Sequence, residues 1–266
     1  MSAPPMLYLS PDEDDLVGKL RGYLADKLGY LLEQTGTIGI GVSGGSMPRL
    51  FSAAILAIPN LNWKRIRIFM VDERNVDIND PESNLGQYLR LFPIDKHDSF
   101  VPIPIHENVV ITANQYEFNL RRHLLPEQFN NSPRFDLLFL GVGPDGHTAS
   151  IFPGKEHFEK VTDMNWVSVI TDSPKPPPVR VTLNMSTINF AKNVAFIITG
   201  RAKAEIVRSI VDGDDKYPAS TVKPINEKLV IFLDNEAASA IQDQEGLFIR
   251  HDEMSTPEPE TPPFEQ

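Results

Sequence analysis

Apolar positions along this chain fall into two rhythms that alternate from end to end. One is short, dense runs of five to seven residues: Thr37 to Val42 (TIGIGV), Ile66 to Val71 (IRIFMV), Phe135 to Leu140 (FDLLFL), Trp166 to Ile170, Asn193 to Thr199 (NVAFIIT) and Lys228 to Leu233. Runs this short and this apolar suit strands buried on both faces of a parallel sheet. The other rhythm is helical. Leu16, Leu20, Leu24, Leu28 and Leu31 form a stripe at helical spacing. Ser10-Pro11-Asp12-Glu13-Asp14 opens that helix with an N-cap, an early proline and acids at the positive end of the dipole. Further helices are expected from Met47 to about Ile58, from Asn84 to about Phe92, and from Thr112 to Leu124 with Phe118 and Leu125 on the buried side. Others follow around Met185–Ala191, from Lys203 through Val211, and briefly after Asp234. Strand and helix in alternation predict an α/β fold: a doubly wound, mainly parallel, Rossmann-like sheet with helices on both faces and right-handed crossovers. Residues 1–250 read as one such domain, and no linker or internal repeat divides them.

The chemistry-bearing residues gather where the strands end. Phe135–Leu140 breaks into Gly141, Gly143, Pro144, Asp145 and Gly146, then delivers His147 and Thr148 into an expected short helix. Open α/β sheets bind ligands at the carboxyl ends of their strands, and His147 is a titratable group at such an end. A hydrogen-bonded, inert histidine in a plain connecting turn is the alternative. Asp145 either orients His147 or is a turn residue. After Val42, Ser43-Gly44-Gly45-Ser46 precedes a helix. Such a turn can cradle an anion with backbone N–H groups, or be a glycine turn with a serine cap. Asp72-Glu73-Arg74 closes the next strand. Arg74 is a fork suited to a phosphate, with the two acids orienting it or substrate hydroxyls; a salt-bridged rim is the alternative. Asn84, at the start of the following helix, is a candidate for the same cleft. Lys203 sits in the first turn of a helix, where a cation opposes the dipole unless an anion lies beside it. Asp172 to Pro178 (DSPKPPP) is too rich in proline for regular structure and reads as a rigid loop ahead of Arg180. His97, His106 and His123 are expected to be solvated.

Composition narrows the classes. The 266 residues contain no cysteine, which excludes disulfides, thiolate metal sites and a cysteine nucleophile. A net charge of −11 argues against nucleic acid as a partner. Five of those negative charges fall in residues 252–266, a proline-rich stretch expected to be disordered. No run is long enough for a membrane helix, and the first ten residues lack the pattern of a signal peptide, so a cytoplasmic protein is expected. HExxH, GxSxG and GxxxxGK[ST] are absent, which argues against a metalloprotease, a serine-hydrolase elbow and a triphosphate loop. GxGxxG occurs twice, at Gly39 and at Gly141, and carries little weight in either place.

VSGGSMPRLF, VDERNV with PESNLGQY, FDLLFLGVGPDGHTASIFPG, SPKPPPVRVTLN and ITGRAKAEIV stand in the order found in 6-phosphogluconolactonases. The chain resembles that family over about residues 7–245. Met47 departs from the hydroxyl residue often found after SGGS in the wider group, which includes glucosamine-6-phosphate deaminases. The resemblance implies hydrolysis of 6-phospho-D-glucono-1,5-lactone to 6-phosphogluconate in the oxidative pentose phosphate pathway. It implies no cofactor and no metal. Ser43, Gly44, Gly45, Ser46, Arg74, Arg180 and Lys203 would hold the phosphate. His147, oriented by Asp145, would activate water, and Asp72, Glu73, Asn84, Gly143 and Gly146 would complete the pocket. The expected partner is a small sugar phosphate, bound by a monomer or weak homo-oligomer. The alternatives are a glucosamine-6-phosphate deaminase/isomerase, which would need a carboxylate shortly after the histidine where here none precedes Glu156, and a non-catalytic sugar-phosphate-binding protein in which His147 is idle.

Overall fold

The computed structural model describes residues 4–34, 36–124, 134–154, 165–225 and 229–241. The acidic stretch after residue 250, Leu125 and Lys228 lie outside them.

Seven strands form a central, wholly parallel sheet. They are β1 (Met6–Ser10), β2 (Ile38–Val42), β3 (Ile66–Met70), β5 (Phe100–Val101), β6 (Leu137–Leu140), β9 (Val194–Ile198) and β10 (Leu229–Asp234), in the order β1-β10-β9-β6-β2-β3-β5. β2, β6 and β9 are buried at every position, as expected for central strands covered on both sides. Register shows the two covers. Phe139 lies beside Val42, and its ring meets Tyr23 of α1 (Glu13–Gln34) and Phe51 of α2 (Met47–Leu56). Phe69 lies beside Gly41 on the opposite face and meets His123 of α4 (Val109–Leu124). The leucine stripe of α1 is buried throughout. Each such leucine contributes about 1.5–3 kcal/mol of transfer free energy.

The sequence pattern did not disclose a second sheet. β4 (Asp72–Arg74), β8 (Arg180–Leu183) and β7 (Val167–Ile170) pair antiparallel in the order β4-β8-β7. Val71 joins the two sheets: its N–H donates to the Val42 carbonyl, and its own carbonyl accepts from Leu183. β1 and β5 also escaped the pattern, β1 because it is a short edge strand and β5 because it has two residues inside a proline-rich stretch. Among the described residues the remaining α-helices are α3 (Asn84–Leu91), α5 (Met185–Phe190) and α6 (Ala204–Asp212). Phe118 is exposed, not buried. α4 buries Val109, Thr112, Ala113, Tyr116 and Leu120, and Phe118 is two residues, about 200°, from Tyr116. Among the described residues 148–154 no helix follows His147: Thr148 and Ile151 close a tight bridge there, and residues 235–241 form turns. No described helix is long and apolar enough to cross a membrane.

Candidate active site

Strand order reverses at β2. The chain moves outward to β3 and β5, then returns to place β6 on the other side of β2. The turns after β2 and β6 therefore diverge and leave a crevice at their carboxyl ends. A cavity of about 290 Å³ opens there, lined by Ser43–Ser46, Asp72, Arg74, Asn84, the 141–144 turn, His147, Ala149, Lys175, Arg180 and Lys203.

One part of the lining is a glycine turn and the first residues around it. The turn can approach α3 only as glycine: a Cβ at Gly44 would fall 2.0 Å from Asn84 Oδ1. Asn84 is fixed in turn, its amide nitrogen donating to the Asp72 carbonyl at 2.9 Å. Three buried polar atoms here have no hydrogen-bond partner among the described residues: Ser43 Oγ, Asn84 Oδ1 and Arg74 Nε. Buried groups in this state cost about 1–3 kcal/mol each, so their concentration on one cleft marks a place for a polar ligand. The other arm of Arg74 is held at the rim, Nη1 donating to the carbonyl (2.6 Å) and side chain (3.0 Å) of Glu82. Lys203 caps α6. Burial lowers its pKa, and Asp234 opposes that shift.

The His147 turn is closed by its own amides. Gly143 N–H donates to the His147 carbonyl and Gly146 N–H to that of Gly143, both at 2.9 Å. A Cβ at Gly143 would fall 2.0 Å from the His147 ring, so glycine is what lets the imidazole fold back over the turn. His147 Nδ1 donates to Asp145 Oδ1 at 2.5 Å, because a carboxylate can only accept. That fixes the tautomer and leaves Nε2 as an acceptor. Burial holds the imidazole's pKa below 6.5, against the hydrogen bond and charge of Asp145, which raise it. For Asp145, burial pulls upward, yet His147 and Lys175 hold the carboxyl below its usual value.

Two expected pocket residues lie elsewhere. Glu73 is buried behind the cleft. Its carboxylate accepts the N–H groups of Arg74, Asn84 and Leu85 at 2.7–2.8 Å and the Ser83 hydroxyl at 3.3 Å. With β4 pleated, Asp72 and Arg74 reach one side and Glu73 the other. Gly146 does not line the cavity either; a Cβ there would meet the Tyr217 ring. Arg180 lines the cavity, but much of its guanidinium is spent on the proline loop: Nε donates to the Pro177 carbonyl at 3.0 Å, and Nη2 to those of Lys175 (3.0 Å) and Pro176 (3.1 Å). Lys175 went unnoticed in the sequence, where its only signal was a lysine among prolines. Its Nζ lies 3.3 Å from Asp145 Oδ1 and 3.3 Å from His147 Nδ1. Among the described residues, no three His, Asp or Glu side chains are grouped to hold a metal ion.

Comparison with known proteins gives this arrangement a context. A family model described as glucosamine-6-phosphate isomerases/6-phosphogluconolactonase matches residues 11–231. A Caenorhabditis elegans protein provisionally named a 6-phosphogluconolactonase is 63% identical over 91% of this chain and 90% of its own length. The 6-phosphogluconolactonase of Rattus norvegicus is 34% identical over 89% of this chain and 93% of its own. The solved structure of 6-phosphogluconolactonase from Trypanosoma brucei aligns with a TM-score of 0.71 and 29% identity, covering 91% of this chain and all of that one.

Proposed function

We propose, for a chain that belongs to the glucosamine-6-phosphate isomerase/6-phosphogluconolactonase family, that it hydrolyses the ring ester of 6-phosphogluconolactone to 6-phosphogluconate. One observation carries the reading. A cleft with unpartnered phosphate-type donors also holds an imidazole whose tautomer leaves one nitrogen free as a base.

The backbone and hydroxyls of Ser43–Ser46, with Arg74 and Lys203, grip the phosphate. That grip sets the lactone carbonyl against His147, converting part of the entropic barrier into binding. Nε2 takes a proton from a water molecule as its oxygen attacks C1. The tetrahedral oxyanion then collapses and the C1–ring-oxygen bond breaks. The imidazolium returns its proton to that ring oxygen, now the C5 hydroxyl. General-base help of this kind is worth about 10²–10⁴-fold. Gly143 and Gly146 already spend their N–H groups within the turn, so those two amides do not serve the oxyanion.

The test compares hydrolysis of phosphorylated and unphosphorylated gluconolactone with the spontaneous background. The phosphorylated substrate should be turned over far faster, and His147→Ala should remove that turnover while 6-phosphogluconate still binds. Wild-type turnover in His147→Ala would take the imidazole out of the mechanism.

A further inference from the structure

Lys175 lies in the cleft but takes no part in the phosphate grip described above. Its placement depends on a loop that cannot hold itself. Residues 173–178 include four prolines, which supply carbonyls without N–H donors. Ser173 makes three short-range bonds: its hydroxyl donates to the Lys175 carbonyl at 2.8 Å and accepts from the Lys175 N–H at 3.2 Å, and its own N–H donates to the Pro178 carbonyl at 3.0 Å. One guanidinium, Arg180, bonds the carbonyls of residues 175, 176 and 177. Arg180 is itself buried and anchored at the start of β8. Its Nη1 reaches Ser150 Oγ at 3.4 Å, and that hydroxyl donates to Asp72 at 2.6 Å.

The charged groups facing His147 come from three elements: Asp145 from its own turn, Asp72 from β4 and Lys175 from the proline loop. Two are anions. Two negative charges favour a proton on the imidazole, and a protonated imidazole cannot accept one from water. Lys175 is the cation set against them, close to the Asp145 oxygen that the imidazole uses.

Building on the lactonase reading, we propose that Arg180 is a loop clamp rather than a phosphate ligand, and that it holds Lys175 as a positioning residue. In that place Lys175 shares Asp145 with His147 and keeps Nε2 free as an acceptor. Burial is the larger contribution to the same effect.

The test reads His147 directly, without turnover. The imidazole ring C–H resonance, assigned by its loss in His147→Gln, is titrated by proton NMR in the wild-type protein, Lys175→Gln and Lys175→Arg. Lys175→Gln should raise the midpoint by about one pH unit, the size expected for one partly exposed charge at this separation in a water-like dielectric. Lys175→Arg should restore most of the shift. The acid limb of kcat/KM should move with the midpoint. An unmoved midpoint in Lys175→Gln, or an equal shift in both variants, would overturn the role of Lys175. Arg180→Ala should move the midpoint in the same direction while 6-phosphogluconate binding stays within about threefold, well short of the loss of one charge-assisted hydrogen bond. If it instead weakened that binding as much as Arg74→Ala, the clamp would be wrong. Should the lactonase reading fail, turnover would be missing while the titration shift persisted, so the two failures are separable.

Discussion

An imidazole beside a carboxylate is a base only at pH values where the proton stays off it. Burial depresses the His147 pKa and Asp145 raises it, with a net value below 6.5. The expected consequence is a kcat/KM that is constant at neutral pH and falls about tenfold per pH unit once the pH drops below that value. The limb should be absent from whatever residual rate His147→Gln retains. A limb well above pH 7 in the wild-type protein would contradict this assignment. Arg74 should behave differently. It meets the phosphate in substrate and transition state alike, so Arg74→Ala should raise KM by about ten- to a hundredfold, the worth of one charge-assisted hydrogen bond, with kcat nearly kept. An equal fall in kcat at unchanged KM would mean that Arg74 acts on the oxyanion instead. His147 was readable in the sequence because a glycine turn after an apolar run announces a strand end. Lys175 was not, because its position depends on Arg180 and on pairing between strands distant along the chain.

At the scale of the element, the three-residue β4 and the start of α3 act as one unit, and Glu73 joins them. Its buried carboxylate accepts three backbone N–H groups, two from the first residues of α3. Burial pushes its pKa up to about 7, against those amides and together with the neighbouring Asp72. Glu73→Gln would turn an NH₂ toward donors that need an acceptor. It should lower stability by about 1–3 kcal/mol, read as a shift in the denaturation midpoint at unchanged slope. It should also loosen Asn84 and Arg74, raising KM. A variant as stable as the wild type would show that the amides do not need this carboxylate. The strand–helix alternation was legible here, and so was the clustering of charge after β3. The direction of each charge was not, because alternation on a strand can be used only once the strand is known to exist, and β4 is too short to show a period.

For the molecule as a whole, the cleft lies where the central sheet reverses order, roofed by a second sheet that shares Val71 with it. The reversal follows from strand order, which no local window of sequence contains; the alternation of elements alone left the position of β6 open. The cleft concentrates cost. Ser43 Oγ, Asn84 Oδ1 and Arg74 Nε are buried without partners among the described residues, and Lys203 is partly buried with Asp234 as its main offset. A ligand that satisfies these groups binds the folded chain and not the unfolded one, so it must raise the stability of the fold. At a hundred times its Kd, 6-phosphogluconate should add about 2.7 kcal/mol, visible as an upward shift of several degrees in Tm. Gluconate, without the phosphate, should add little at the same concentration. Arg74→Ala should lose most of the shift, because removing the fork weakens the grip. His147→Ala should keep it, because the imidazole serves the reaction and not the phosphate. Equal stabilisation by gluconate and 6-phosphogluconate would place the binding energy on the sugar hydroxyls, and the anion cradle after β2 would then be an ordinary turn.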